Sequence, residues 1–96
     1  MNKKFWSLTF DDYAKKRFKK LDKPVQKRIL SIFETKILPA EDPIHYAEAL
    51  VGELIGYYRF RIGDYRLICI IEDEVLLITT VEVAHRKEAY TKIKRR

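Results

Sequence analysis

Three arginines fall within eight residues of one another in the segment Tyr57-Tyr58-Arg59-Phe60-Arg61-Ile62-Gly63-Asp64-Tyr65-Arg66. The guanidinium is planar, always charged, and donates N–H groups in a fork that matches phosphate oxygens. The segment reads as a strand, a tight turn and the start of a second strand. Side chains alternate between faces of a strand, so Tyr58, Phe60 and Ile62 form a core face. Arg59, Arg61 and Tyr57 share the other face, and Arg66 joins them from just past the turn. Like charges repel, so a bound anion is one reason for this cluster. The other reading is a solvated strand face with scattered ion pairs.

A second group follows in Val83-Ala84-His85-Arg86-Lys87-Glu88-Ala89-Tyr90. Arg86 and Tyr90 are four residues apart and share one face of a helix that begins early. His85 is a candidate because an unperturbed imidazole is the side chain that changes charge near neutrality. A lone histidine is more often structural or exposed, and His45, with only loop context, is assigned no role. Two isolated histidines without cysteine or carboxylate spacing argue against a metal site. No Gly-rich phosphate loop and no serine nucleophile elbow is present.

The elements that must position these groups follow from periodicity. Residues 3–9 read as a first strand. Thr9 followed by Asp12 resembles a capping box, which starts a helix near Phe10. Tyr13, Ala14, Arg17, Phe18 and Leu21 continue at helical spacing. Asp22-Lys23-Pro24 breaks and recaps the chain, and Val25, Ile29, Ile32, Phe33 and Ile37 form the apolar stripe of a second helix. Residues 39–43 are a loop, and 44–51 is ambiguous, with a helical turn as the expectation. Strands follow over 57–62, 65–72 and 75–84, with Gly63-Asp64 and Asp73-Glu74 as turns. The apolar runs 67–71 and 75–78 mark central strands covered in part on both faces. A short helix over 88–94 closes the chain. The expected fold is α+β, in the order β-α-α-β-β-β-α. A mainly antiparallel sheet carries an N-terminal helix hairpin, and the strand order stays open.

Lys15, Lys16, Arg17, Lys19, Lys20, Lys23, Lys27 and Arg28 crowd the two helices. They are either the solvated face of amphipathic helices or an electrostatic footprint for a nucleic-acid backbone. No pattern for reading bases accompanies them.

The chain has 96 residues, 47% of them apolar, which suits one domain spanning 1–96 with a single core. Twenty basic residues against 14 acidic ones give a net charge of +6, which favours a polyanionic partner: RNA, DNA, an anionic membrane or an acidic protein. No run approaches the roughly 18 apolar residues of a membrane span. The amino terminus has no signal-peptide core, and the lone Cys69 has no internal disulfide partner. Both point to the cytoplasm.

At this level of detail the whole chain resembles the RelE branch of the RelE/ParE toxin superfamily. The resemblance rests on the segment from Leu50-Val51-Gly52 through Tyr58-Arg59-Phe60-Arg61-Ile62-Gly63-Asp64-Tyr65-Arg66, which is similar to the family's hairpin. It rests also on Ala84-His85-Arg86-Lys87-Glu88-Ala89-Tyr90, which is similar to its ending. The resemblance implies the toxin of a bacterial toxin–antitoxin pair. Such a toxin is an endoribonuclease (mRNA interferase) that cleaves mRNA in the A site of the 70S ribosome, without metal or cofactor, and so inhibits translation. It also implies a RelB-like antitoxin that covers the basic surface. Arg59 and Arg61 match basic positions of the family's second strand that are often lysines, and Arg66 matches an arginine of the next strand. Arg86, Tyr90 and His85 match its terminal residues, with Arg86–Tyr90 spacing that varies and a histidine that some relatives lack.

On that resemblance an RNA 2′-hydroxyl attacks the adjacent phosphate. Arg61 and Arg66 stabilise the transition-state charge and Arg59 holds the RNA backbone. Tyr90 serves as base or base stacker, and Arg86 or His85 as acid. Reference pKa values of about 10 for Tyr and above about 12 for Arg leave the acid and base assignment open. The helix lysines Lys15, Lys16, Lys19, Lys20, Lys23 and Lys27 would contact ribosomal RNA. Two other readings share the sequence: a ParE-like poison of DNA gyrase, and a non-catalytic binding relative.

Overall fold

The structure is a computed structural model that describes residues 5–88. Strand β1 (Ser7–Phe10) leads into helix α1 (Asp12–Lys19) and helix α2 (Lys23–Ile32), which continues as a π-helical turn over Phe33–Ile37. A 3-10 turn (Pro43–Tyr46), strand β2 (Ala47–Ala49) and a second 3-10 turn (Gly52–Leu54) follow. Strands β3 (Tyr58–Ile62), β4 (Tyr65–Glu72) and β5 (Leu77–His85) complete the described fold. The five strands form one sheet in the order β1-β5-β4-β3-β2. β1 runs parallel to β5, and every other pair is antiparallel. The fold is α+β, as the sequence implies.

Alternation along β3 sends Phe60 and Ile62 into the core, while Tyr58 is half-buried. Ile29, Phe33 and Ile37 from the second helical stripe, and Ala14 and Phe18 from the first, meet Phe60, Leu67, Ile78 and Val83 there. Phe33 meets Phe60 edge-on, with ring centroids 5.2 Å apart. Burial of each such ring stabilises the fold by roughly 1.5–3 kcal/mol. Both helices therefore lie on one face of the sheet. The other face carries a smaller cluster, Ile68 and Val81 buried beneath Leu50, Leu54 and Tyr57. The β4–β5 register passes from Ile68↔Glu82 to Cys69↔Thr80, so Val81 is the extra residue of a bulge.

Several local expectations change. Asp11, not Thr9, caps α1: its Oδ1 accepts from the Ala14 N–H at 2.9 Å. Thr9 is held in the parallel ladder opposite Thr79, which extends β1 through Phe10 and leaves Asp11 at the junction. Part of segment 44–51 is the edge strand β2. Its Ala-Glu-Ala sequence has little strand propensity of its own, and its extended form rests on pairing with β3. The turn after β4 is longer than two residues. It is a 3-10 turn, Asp73–Val75, closed by Leu76 at φ +52°, so β5 begins at Leu77. Glu88 closes a turn on the His85 carbonyl at 2.8 Å, and the remainder of the expected terminal helix lies outside the described residues.

Candidate active site

Strand pairing builds the arginine face. Arg61 stands directly opposite Arg66, and Arg59 stands opposite Ile68 on one side and Glu48 on the other. All three arginines point away from the face that buries Phe60 and Ile62, so α1 and α2 lie on the opposite side of the sheet from them. Arg61 is the most open, with 60% of its side chain exposed. The Gly63-Asp64 turn brings β3 and β4 back within two residues, helped by Gly63 at φ +58°.

Glu48 sits inside this cluster. Its Oε1 accepts from Arg59 Nε at 2.8 Å and pairs with Arg59 Nη2, and Arg61 Nε lies 3.7 Å away. The Arg59 hydrogen bond, reinforced by the charges of Arg59, Arg61 and Arg66, holds the Glu48 carboxyl below its usual 4.5. Arg66 turns back on the hairpin, its Nη1 donating to the carbonyls of Gly63 and Tyr65 at 3.0 Å each. Glu48 and the guanidiniums thus make a cationic surface with one internal anion.

The end of β5 reaches the same end of the sheet. Tyr65 pairs with His85 and Arg66 with Ala84. The backbone N–H of Arg86 donates to the Asp64 carbonyl at 2.7 Å, and its Nε lies 3.6 Å from Asp64 Oδ1. His85 falls on the helix side, where its ring meets Tyr65 edge-on at 5.4 Å. Its Nδ1 accepts from the Lys87 N–H at 3.2 Å, so a neutral ring carries its proton on Nε2. Tyr65, Val83, His85, Glu88, Arg17, Lys20 and Leu21 line a cleft of about 260 Å³ between α1 and the sheet. The His85 N–H bonds Glu88 Oε1 at 2.7 Å, and this bond, with the Arg17 charge, holds the Glu88 carboxyl below its usual value.

The fold thus gathers Arg59, Arg61 and Arg66 on the open face, with Arg86 just past the same end of the sheet and His85 on the helix side. Tyr90 lies outside the described residues. Lys15, Lys16, Lys19 and Lys20, in and just after α1, and Lys23 and Lys27 of α2 are exposed on the helix layer, apart from the arginine face. Arg17 does not belong to that solvated crowd. Its guanidinium donates to the Val83 carbonyl at 3.2 and 3.3 Å, and lies 3.5 Å from Glu82 and 3.1 Å from Glu88. It caps the edge of β5 beyond the point where pairing with β1 ends. Glu48 was not legible as a site residue, because nothing before the β2–β3 register places it beside Arg59. Among the described residues no group of three or more His, Cys, Asp or Glu side chains is placed to hold a metal, and no helix is long and apolar enough to cross a membrane.

A family model for the ParE toxin of type II toxin–antitoxin systems (parDE) matches residues 8–90. Similar solved structures include a chain of the toxin–antitoxin complex RelBE2 from Mycobacterium tuberculosis, with a TM-score of 0.77 at 23% identity, over 91% of this chain and 98% of that one. A chain of the RelB–RelE antitoxin–toxin complex from Methanococcus jannaschii has a TM-score of 0.63 at 24% identity, over 88% and 96%. The isolated Escherichia coli RelE toxin has a TM-score of 0.57 at 21% identity, over 94% of each chain. No curated protein sequence matches the chain. The solved structures share the fold, and the family model runs from β1 past the end of β5. The chain belongs to the ParE toxin family of type II toxin–antitoxin systems.

Proposed function

We propose that this toxin is a ribosome-dependent endoribonuclease that cleaves mRNA in the A site, acts in the cytoplasm, and is neutralised by a RelB-like antitoxin. The observation that carries this reading is the direct opposition of Arg61 and Arg66, with Arg59 one position along, on the sheet face turned away from α1 and α2. Fixed guanidiniums in that arrangement suit a phosphoryl group whose oxygens gain charge in the transition state. The 2′-oxygen forms a bond to the adjacent phosphorus and the bond to the 5′-oxygen breaks, leaving a cyclic phosphate and a free 5′-hydroxyl. The 2′-hydroxyl proton goes to a base, and an acid protonates the leaving oxygen.

Arg61 and Arg66 stabilise the charge in this scheme, and Arg59 holds the backbone after the phosphate displaces Glu48 from it. Tyr90 acts as base or as a stacking surface for the base. Arg86 or His85 supplies the proton. The exposed lysines of α1 and α2 face ribosomal RNA, consistent with the net charge of +6. The scheme requires no metal or cofactor.

A ParE-like action on DNA gyrase is the second reading. It is favoured by the description of the matching family model and by the internal partners that already engage Arg59 and Arg66. Purified protein incubated with mRNA on programmed ribosomes, with free mRNA, and with gyrase in a supercoiling assay separates the two. The proposal expects cleavage on the ribosome that is lost in Arg86→Ala, with supercoiling unaffected. Intact mRNA together with inhibited supercoiling overturns it.

A further inference from the structure

Arg28 in α2 has a geometry that the rest of the basic helix face does not share. A Cβ built on Gly63 would lie 3.4 Å from Arg28 Cζ, 3.4 Å from its Nη2 and 3.5 Å from its Nη1. Nearly equal distances to those three atoms mean that the flat side of the guanidinium faces the glycine. The N–H donors of a guanidinium lie in its plane, so this approach leaves them directed sideways. Among the described residues Arg28 forms neither an ion pair nor a side-chain hydrogen bond. Gly63 closes the turn at φ +58°, and the Arg28 guanidinium lies over it at a distance that would still leave a Cβ in ordinary van der Waals contact.

The same two-residue turn collects two further arginines. Arg66 Nη1 donates to the Gly63 carbonyl at 3.0 Å, and Arg86 Nε lies 3.6 Å from Asp64 Oδ1. Guanidiniums from α2, from β4 and from the segment after β5 thus meet at one turn. The turn itself supplies one carboxylate, Asp64, which is 63% exposed. The cationic face of Arg61 and Arg66 consequently continues around the end of the sheet to the helix layer.

We propose that Arg28 is a phosphate-binding residue for a nucleotide flanking the scissile bond. The RNA strand leaves the Arg61–Arg66 pair, crosses the Gly63-Asp64 turn, and sets its next phosphate on the in-plane N–H donors of Arg28. This rests on the reading of the arginine face as a phosphate site. Arg28 binds and does not take part in the proton transfers.

The test is the salt dependence of binding to a short single-stranded 2′-O-methyl RNA, which cannot be cleaved. The full chain is compared with Arg28→Ala, Arg28→Lys, Arg61→Ala and Lys36→Ala, each first shown to be folded by circular dichroism. Removing a cation that neutralises one phosphate makes the slope of log K against log salt shallower by about 0.7 for a single strand. Arg28→Ala is expected to show that change, so that its affinity falls about 2.6-fold less than the parent's between about 50 and about 200 mM salt. Arg28→Lys keeps the slope and binds more weakly, because the charge remains and the fork is gone. Lys36→Ala, the same charge change farther along the helical segment, keeps the parent slope. A parent slope in Arg28→Ala with a shallower one in Arg61→Ala overturns the role of Arg28 and leaves the arginine face standing. Parent slopes in both overturn the role together with the reading it rests on.

Discussion

Replacement of Arg17 by Met tests whether one cation of the helix layer is a structural clamp. The unbranched apolar side chain of Met keeps most of the packing of the arginine stem and removes the guanidinium. What disappears is a charge-assisted hydrogen bond to the Val83 carbonyl, at 3.2 and 3.3 Å, with a net contribution of about 1.5–3 kcal/mol. The pair with Glu88, whose carboxylate is about half exposed, adds at most about 1 kcal/mol. Glu82, whose side chain is 2% exposed, is also deprived of a cation 3.5 Å away. A total near 3 kcal/mol is a large part of the 5–15 kcal/mol typical of a domain. For a chain of this size it corresponds to a fall in Tm of about 12–24 °C. Thermal and urea unfolding followed by far-UV circular dichroism measure it, and Arg17→Lys is expected to fall between the two. A Tm within about 3 °C of the parent would refute the clamp and return Arg17 to the solvated crowd.

Other outcomes follow from single interactions. Glu88 has a folded-state pKa below its ordinary 4.5, because the His85 N–H and Arg17 favour the carboxylate. Its contribution to stability is therefore full above pH 4.5 and is lost as pH falls through the folded value, so Glu88→Gln flattens the acid limb of the stability curve; an unchanged limb contradicts this. Gly63→Ala forces a side chain into φ +58° and is expected to cost about 1–2 kcal/mol in urea unfolding. Burial pushes the Cys69 thiol up to about 12. Ellman's reagent should leave the native protein unlabelled at neutral pH and react only as the chain unfolds.

The β3–β4 hairpin was legible because its signals are local: alternation sorts Phe60 and Ile62 from Arg59 and Arg61, and Gly63-Asp64 suits the turn. The helical stripes were legible for the same reason, with Ile29, Phe33 and Ile37 all buried as their spacing implies. The features that escaped depend on partners distant in sequence. β2 is a strand only because β3 supplies its ladder, and Glu48 enters the arginine cluster only through that register. Arg17 looks like its lysine neighbours until the unpaired edge of β5 comes beside α1. Thr9 and Asp11 are both good caps, and the parallel pairing of β1 with β5 decides between them. Residue types named the chemistry of the candidate site, and the sheet determined which of them share a face.

Single-turnover cleavage of mRNA on programmed ribosomes, for the parent chain beside Arg61→Ala, tests the phosphoryl-transfer reading most directly. Loss of one preformed charge donor is expected to slow cleavage by about 10²–10³-fold with ribosome binding retained. Cleavage by Arg61→Ala at the parent rate, or none by the folded parent, would contradict it.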